Sequence, residues 1–455
     1  MRNCLKKLRS NPAVLILHLS FLLIIAGALS TCFFGQKGMM RLYPEEKVSK
    51  FYSSDGKIHP LPVVMELDSF RVEYYDGSQY PRDYISYLKV DGKHRVISMN
   101  KILDTDGYRF CQAGYDYDGS TFLSVNHDPI GITLVYTGYL AFAVSGLCIL
   151  LSRRGRWKSL LRSRHTLSVA AFPLMMTIPE ARPYVPDHFS SDCNRLVEYL
   201  YDKIPFTIII CVILFAGATL SFLAISDRKQ LKRGSDILLW LATAFSATYF
   251  ILQWIMSNNI PLSDSHETLL FAVLMTELLL LLFRGQGYFF RGTAMILAAA
   301  MTMVAYLIES GSSEGPIQPV LNSPWLSFHV SLAMASYALF GLTFAAAAVA
   351  FIRPSSLTRM RGISLSVLYP AEWLLGLGII TGSVWANISW GSYWSWDPKE
   401  TLALITFLIY SVPLHPDIKF LHSPRNFHLY MILGILAVAA TYFGVNLLPS
   451  LHSYK

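Results

Sequence analysis

The sequence predicts an all-α polytopic membrane protein of about eleven transmembrane helices with a small β-rich extracytoplasmic domain. Three observations carry this. Of the 455 residues, 53% are apolar and 15% are charged. Apolar runs of about twenty residues recur along the chain, each the length an α-helix needs to cross a hydrocarbon core of roughly 30 Å. The one sizeable polar stretch, between the first two runs, alternates with a period of two, as strands do.

The runs place crossings near 12–34, 129–151, 204–226, 237–256, 266–283, 292–308, 325–352, 364–386, 401–415 and 427–449. Lys and Arg orient them. Arg2, Lys6, Lys7 and Arg9 precede the first crossing, and Arg153, Arg154, Arg156, Lys158, Arg162 and Arg164 follow the second. Arg228, Lys229, Lys232 and Arg233 follow the third, Arg353, Arg359 and Arg361 follow the seventh, and the loops 257–265 and 309–324 hold neither residue type. A cytoplasmic N-terminus satisfies all of these loops if one more crossing lies between Arg164 and Lys203. Only 166–184, broken by Pro173, Pro179 and Pro183, can supply it. These loops account for the net charge of +8, so the basic balance implies no nucleic-acid partner. The first run is long and is followed by no small-residue cleavage site, so it is expected to stay as a helix and not to be a secretory signal.

The organisation expected is a first transmembrane helix over 1–36, a β-rich extracytoplasmic domain over 37–128, transmembrane helices with a connecting segment over 129–203, and a membrane domain over 204–455. Within the polar stretch Val63–Tyr75 alternates. Tyr84–Val90 and Arg95–Met99 flank Asp91-Gly92, a strong hairpin signal. His59, His94 and His127 are scattered there and form no catalytic constellation. The six cysteines show no C-x-x-C spacing. Cys111 and Cys193 both fall outside the membrane on this topology and are the two that could pair.

Four of the nine tryptophans, Trp385, Trp390, Trp394 and Trp396, fall within twelve residues. They sit in a short polar gap between two apolar runs. An interfacial belt puts one or two tryptophans at a helix end, not four in one loop. Such an aromatic surface needs the membrane interface or a flat ligand to cover it, and histidines point to haem as that ligand. Histidine is costly at membrane depth. His18 lies about six residues, roughly 9 Å, into the first crossing, and His415 ends a crossing that runs inward. His329 opens a crossing that enters from outside, and His452 follows one that exits there. Depth thus sorts them into an inner pair, His18 with His415, and an outer pair, His329 with His452. Two neutral imidazoles supply both axial bonds of a haem iron. A histidine at a helix end is more often a capping or snorkelling group, and His422 and His428 are read so.

Asp397-Pro398-Lys399-Glu400 has the form of a helix start: cap, proline in the first turn, glutamate three residues after the cap. That end, with Lys399, would suit a haem propionate. A smaller patch, Pro261 to Thr268, opens another crossing at the outer face, where Glu267 could orient a histidine or order the loop; an ordinary helix start is the commoner account of such a patch.

At these residues the chain resembles the CcsA-type cytochrome c biogenesis proteins, whose signature is a tryptophan-rich loop. The resemblance rests on Val384 to Asn387 with Trp390 to Glu400, on Trp325 to His329 with Ser336-Tyr337-Ala338, on Tyr442 to Leu448, and on Pro261 to Thr268. It covers about 204–455. The N-terminal part, with His18 and Gly107-Tyr108-Arg109-Phe110, resembles a shortened ResB (CcsB), so the whole looks like a fused cytochrome c synthase. Pro416-Asp417 after His415, and Leu402, depart from the CcsA pattern.

The resemblance implies haem b as substrate and bound cofactor, with His329 and His452 as outer ligands and His18 and His415 as ligands within the membrane. Trp385, Trp390, Trp394, Trp396 and Asp397 would cover the ring. It further implies apocytochrome c and an extracytoplasmic thioredoxin-like thiol reductant as partners, lipid as surroundings, and the bacterial inner membrane as location. No catalytic residue is assigned, Asp397 included. The rival readings are a haem-delivery subunit that forms no thioethers, a di-haem respiratory subunit whose ligand pairs would lie on facing helices within the membrane, and a haem-free transporter.

Overall fold

A computed structural model describes residues 11–152 apart from 54, 76 and 77, residues 204–309 apart from 227 and 258, and residues 318–444. The expected crossing at 166–184, Cys193 and His452 lie outside the described residues.

Ten α-helices of eight residues or more occur among the described residues. They are α1 (Pro12–Phe34), α2 (Pro129–Leu151), α3 (Phe206–Leu223), α4 (Lys229–Ser257), α5 (Ser265–Leu282), α6 (Tyr288–Glu309), α7 (Pro324–Ile352), α8 (Leu357–Trp390), α9 (Pro398–Ser411) and α10 (Pro424–Tyr442). Eight of them, α1 to α8, are long and apolar enough to cross a membrane. The expected crossings at 401–415 and 427–449 correspond to α9 and α10, of 14 and 19 residues. Neither belongs to that set of eight, so about eleven crossings is more than the described helices support. The ends of α1 and α2 coincide with the apolar runs, because Pro12 and Pro129 start each helix where its lost N–H costs nothing. α8 runs well past the expected 386 and contains Pro370 without ending there.

Between α1 and α2 the chain forms eight strands: β1 (Gln36–Leu42), β2 (Lys47–Ser53), β3 (Ile58–Tyr74), β4 (Pro81–Val90), β5 (Lys93–Ser98), β6 (Leu103–Thr105), β7 (Tyr108–Tyr115) and β8 (Thr121–His127). They make one sheet in the order β5-β4-β3-β2-β1-β8-β7-β6, with every neighbouring pair antiparallel. Asp91 and Gly92, at φ 48° and 76°, form the expected tight turn between β4 and β5. Alternate residues (Leu61, Val63, Met65 and Leu67 on β3, with Phe51, Leu88, Phe110, Leu123 and Val125) form the domain core. His127 donates from Nδ1 to the Gly107 carbonyl at 2.9 Å and stacks on Tyr108 with centroids 4.3 Å apart. It has a structural task.

The chain divides into two compact units. One comprises Met1–Leu151, Glu314–Leu326 and Ile380–Ser395; the other comprises Ser152–Ser313, Ser327–Ile379 and Trp396–Lys455. The first therefore joins the sheet and its two flanking helices to the segment before α7 and to the last turns of α8 with most of the tryptophan loop. In it α1 and α2 pack at glycines. A Cβ on Gly27 would fall 2.6 Å from Val135 Cγ2 and 2.8 Å from the Gly131 carbonyl, and one on Gly138 would fall 2.7 Å from Ile24 Cγ1. Small residues let helix backbones approach in lipid, where no hydrophobic force drives association.

Cys111, on β7, is a free thiol sealed in the domain. Burial pushes its pKa up to about 12, against an opposing pull from Arg109.

Two outcomes follow. Gly138→Leu overpacks the α1–α2 contact and should cost about 1–3 kcal/mol, read as a lower thermal midpoint in detergent; an unchanged midpoint would exclude the close crossing. Cys111 should resist maleimide at pH 8 in folded protein and react once unfolded. Because the folded state favours the neutral thiol, its contribution to stability is complete below the ordinary value of about 8.5 and is lost as pH rises toward the folded value.

Candidate functional site

The described candidate histidines share one arrangement. His18, on α1, points Nδ1 at the Val14 carbonyl at 2.8 Å, one turn earlier. His329, in the second turn of α7, does the same to the Gly378 carbonyl of α8 at 2.6 Å. His415 follows the 3-10 turn Val412–Leu414 that closes α9, and its Nδ1 meets the Ser411 carbonyl at 3.0 Å. A carbonyl only accepts, so in each ring Nδ1 carries the proton and Nε2 carries the lone pair. That tautomer is the one an iron ligand requires. His422 and His428 are set the other way: their Nε2 atoms meet the carbonyls of Pro416 at 2.7 Å and Leu357 at 3.0 Å. α9 thus ends four residues before His415, and the histidine stands just past the helix, not in it.

The tryptophan segment differs from a simple loop. α8 continues through Trp390, so Trp385 and Trp390 lie on its last turns and only 391–397 is irregular. Trp385 is 1% exposed and meets Trp390 edge-on with centroids 4.8 Å apart. Trp394 is half-buried, packing with Tyr393, Ile132, Val135 and Tyr139. Trp396 is 72% exposed and sits at φ 60°, left-handed backbone that a bulky residue adopts at a cost of order 1–3 kcal/mol.

The segment is tied to the sheet and to α1 and α2. Asn126 of β8 donates to the Gly391 carbonyl, and Asn387 donates to the Tyr136 hydroxyl at 2.9 Å. Ser383 Oγ gives its one proton to the Tyr393 carbonyl at 2.7 Å, so Tyr139 is the donor in its 2.6 Å bond to Ser383. The Tyr393 hydroxyl meets Thr31 of α1, which also bonds Asp128. Gly391 is at φ 71°, and a Cβ there would lie 3.2 Å from the Cys111 Sγ. Conformation and space both require glycine at that turn.

Asp397 caps α9 as the spacing predicts. It is 6% exposed, its Oδ2 accepts from the Lys399 N–H at 3.1 Å, and its own N–H donates to Glu400 at 3.3 Å. This capping box fills the N-terminal end of α9 with two carboxylates, Asp397 and Glu400, beside Lys399.

At the Pro261–Thr268 patch, Glu267 orders the loop. Its carboxylate accepts from Ser263 N–H at 2.7 Å and from Gln253 at 3.0 Å, while Asp264 caps α5 through the Glu267 N–H at 2.8 Å. His266 is buried with both nitrogens engaged, Nδ1 on the Ala305 carbonyl at 3.0 Å and Nε2 accepting from Tyr249 at 2.9 Å. It is a structural histidine.

Sequence reasoning passed over two carboxyls. Glu277 of α5 is 0% exposed and bonded by Ser246 at 3.2 Å, and Glu372 of α8 is 6% exposed. Each stands alone in an apolar run, which is itself the signal at membrane depth. It also passed over Asn100 and Asn126, whose partners lie more than two hundred residues away.

Comparison with known proteins agrees with this organisation. The family model described as "Cytochrome C assembly protein" matches residues 236–452, and the ResB-like family model matches 8–130. The cytochrome c biogenesis protein CcsA of Synechococcus sp. (strain CC9605) is 32% identical over 290 residues, which are 53% of this chain and 93% of that protein. CcsA of Prochlorococcus marinus (strain MIT 9303) is 33% identical over 268 residues, 48% of this chain and 83% of its own length. Protein NrfI of Wolinella succinogenes is 31% identical over 276 residues, 57% of this chain but only 30% of NrfI. With its apolar helices, the chain is an integral membrane protein that belongs to the CcsA family of cytochrome c biogenesis proteins, with a ResB-like region joined ahead of the CcsA-like one.

Proposed function

We propose that this protein is a cytochrome c synthase of the bacterial inner membrane, N-terminus in the cytoplasm and tryptophan loop outside. It moves haem b to the outer face and attaches it to the C-x-x-C-H segment of apocytochrome c. The observation that supports this best is the pair of family matches: the cytochrome c assembly match over 236–452 contains His329 and the tryptophan segment, and the ResB-like match over 8–130 contains His18. His18, His329 and His415 each set Nδ1 on a backbone carbonyl, an orientation compatible with ligation through Nε2 that the structural His127 and His266 share and that His422 and His428 reverse.

In this reading His18 and His415 hold haem within the membrane, and His329 and His452 hold it at the outer site. Trp385, Trp390, Trp394, Trp396 and Asp397 shape the cover of that site. Lys399, at the start of α9, faces a propionate, and Glu267 keeps the outer loop in place. Bound haem supplies the iron for axial ligation and the vinyl groups for thioether formation. The client's thiols add across the vinyls: each sulfur bonds to carbon and each thiol hydrogen goes to the neighbouring carbon, so atoms balance without an oxidant. The chain contributes position and ligation, not reacting atoms. Free client thiols imply a thioredoxin-like reductant outside the membrane. Cys111 does not compete with them, because its neutral, buried thiol is a poor nucleophile.

The purified protein should show a low-spin haem spectrum, and His329→Ala with His452→Ala should weaken haem retention roughly tenfold or more. It should also abolish covalent attachment to a co-expressed apocytochrome. Haem unaffected by the double substitution would move the site to His18 and His415 and favour a respiratory subunit. A haem-free wild type from haem-replete cells would end the synthase reading.

A further inference from the structure

Asn100 forms the second position of a two-residue turn, Met99-Asn100, closed by paired backbone hydrogen bonds between Ser98 and Lys101 at 3.2 and 3.0 Å. Its φ of 63° is left-handed. Asparagine tolerates that conformation, but glycine adopts it more readily. The turn therefore does not explain the side chain; its contacts do. Nδ2 donates to the carbonyls of Pro319, Val320 and Asn322 at 3.1, 3.3 and 3.2 Å. Oδ1 accepts from Ser389 Oγ at 2.8 Å. An amide has two N–H groups for those three carbonyls, so one is shared.

The two partners are the approaches to the helices that matter. Pro319–Leu321 is the 3-10 turn that leads into α7, the helix of His329. Ser389, 4% exposed, lies next to Trp390 at the end of α8. One side chain joins them: Asn100 bonds the Val320 and Asn322 carbonyls, the Pro319 carbonyl that also accepts from the Asn322 N–H at 3.3 Å, and the Ser389 hydroxyl. We propose that Asn100 is a positioning residue of the outer haem site, fixing the entry of α7 relative to the tryptophan end of α8. The inference rests on the synthase reading above and gives the ResB-like region a task in it. The curated CcsA relatives, which align with about half of this chain over most of their own length, would have to obtain that task elsewhere.

Substitutions separate the turn from the clamp. Asn100→Gly keeps the left-handed turn and deletes every side-chain bond. Asn100→Asp keeps the turn and the Ser389 bond but has no donor for the three carbonyls. Ser389→Ala deletes the remaining bond alone. On full-length protein in detergent, hydrogen exchange by mass spectrometry should rise about tenfold in Asn100→Gly at 321–323 and at 386–392. It should rise at 321–323 alone in Asn100→Asp, and at 386–392 alone in Ser389→Ala. Thermal midpoints should stay at wild type, while haem per chain falls and the Soret band shifts in Asn100→Gly. Unchanged exchange overturns the proposal. So does raised exchange in a variant whose haem content, spectrum and client attachment match wild type. A haem-free wild type would instead remove the synthase reading and the proposal with it, whereas a haem-loaded wild type with an indistinguishable variant removes the proposal alone.

Discussion

The last carbonyls of a helix have no partner within it, and at a membrane edge lipid offers none. The segment that follows the C-terminal end of α8 meets the same constraint. Its Gly391 and Tyr393 carbonyls are met by Asn126 of the sheet and by Ser383 of α8, and the polar side chains at the end of α8 are met by Tyr136 and Asn100. With those groups satisfied, Gly391 can turn the chain left-handed beside Cys111 and Tyr393 can sit against α1 and α2. Remove the sheet, and the tryptophan segment would have to find other donors. The order of the chain serves this, since the strands lie between the two helices that receive Tyr393.

The histidines proposed as ligands each have one ring orientation set by the backbone. An imidazole in water exchanges its two tautomers freely. A carbonyl one turn back, or on a neighbouring helix, fixes the proton on Nδ1 and directs the lone pair from the far side of the ring. His18 and His415 obtain this from their own local chain, His329 from α8. The His329 arrangement therefore depends on α7 and α8 packing at Gly378, where a Cβ would come 3.3 Å from the Ala333 nitrogen.

Much of this was legible in the residues, for reasons that divide cleanly. Features set by local chemistry came through: proline-started helices at 12 and 129, the Asp91-Gly92 hairpin, the capping box at Asp397. Features set by partners distant in sequence did not. Asn387 and Ser389 look like loop residues, and α8 was expected to stop before them; Tyr136 and Asn100 allow the helix to continue. Trp385 looked like part of an aromatic surface, yet it is buried against Trp390. His266 and Glu277 could not be assigned from spacing, because their partners, Tyr249 and Ser246, sit on another helix. The β1–β8 pairing that joins the two ends of the sheet domain is equally non-local.

The length of α8 carries a consequence for access. Its 34 residues extend roughly 51 Å. Even at the steepest usual tilt of about 40°, roughly 39 Å would lie along the membrane normal, about 9 Å more than the hydrocarbon core. Part of α8 must therefore extend beyond the lipid tails into the headgroup zone, which with the core is roughly 40–45 Å thick. Arg359 and Arg361 take up part of that excess at one end, and Asn387, Ser389 and Trp390 suit the headgroup zone at the other. The Trp390 end of such a helix would then be met at headgroup depth and not within the hydrocarbon core.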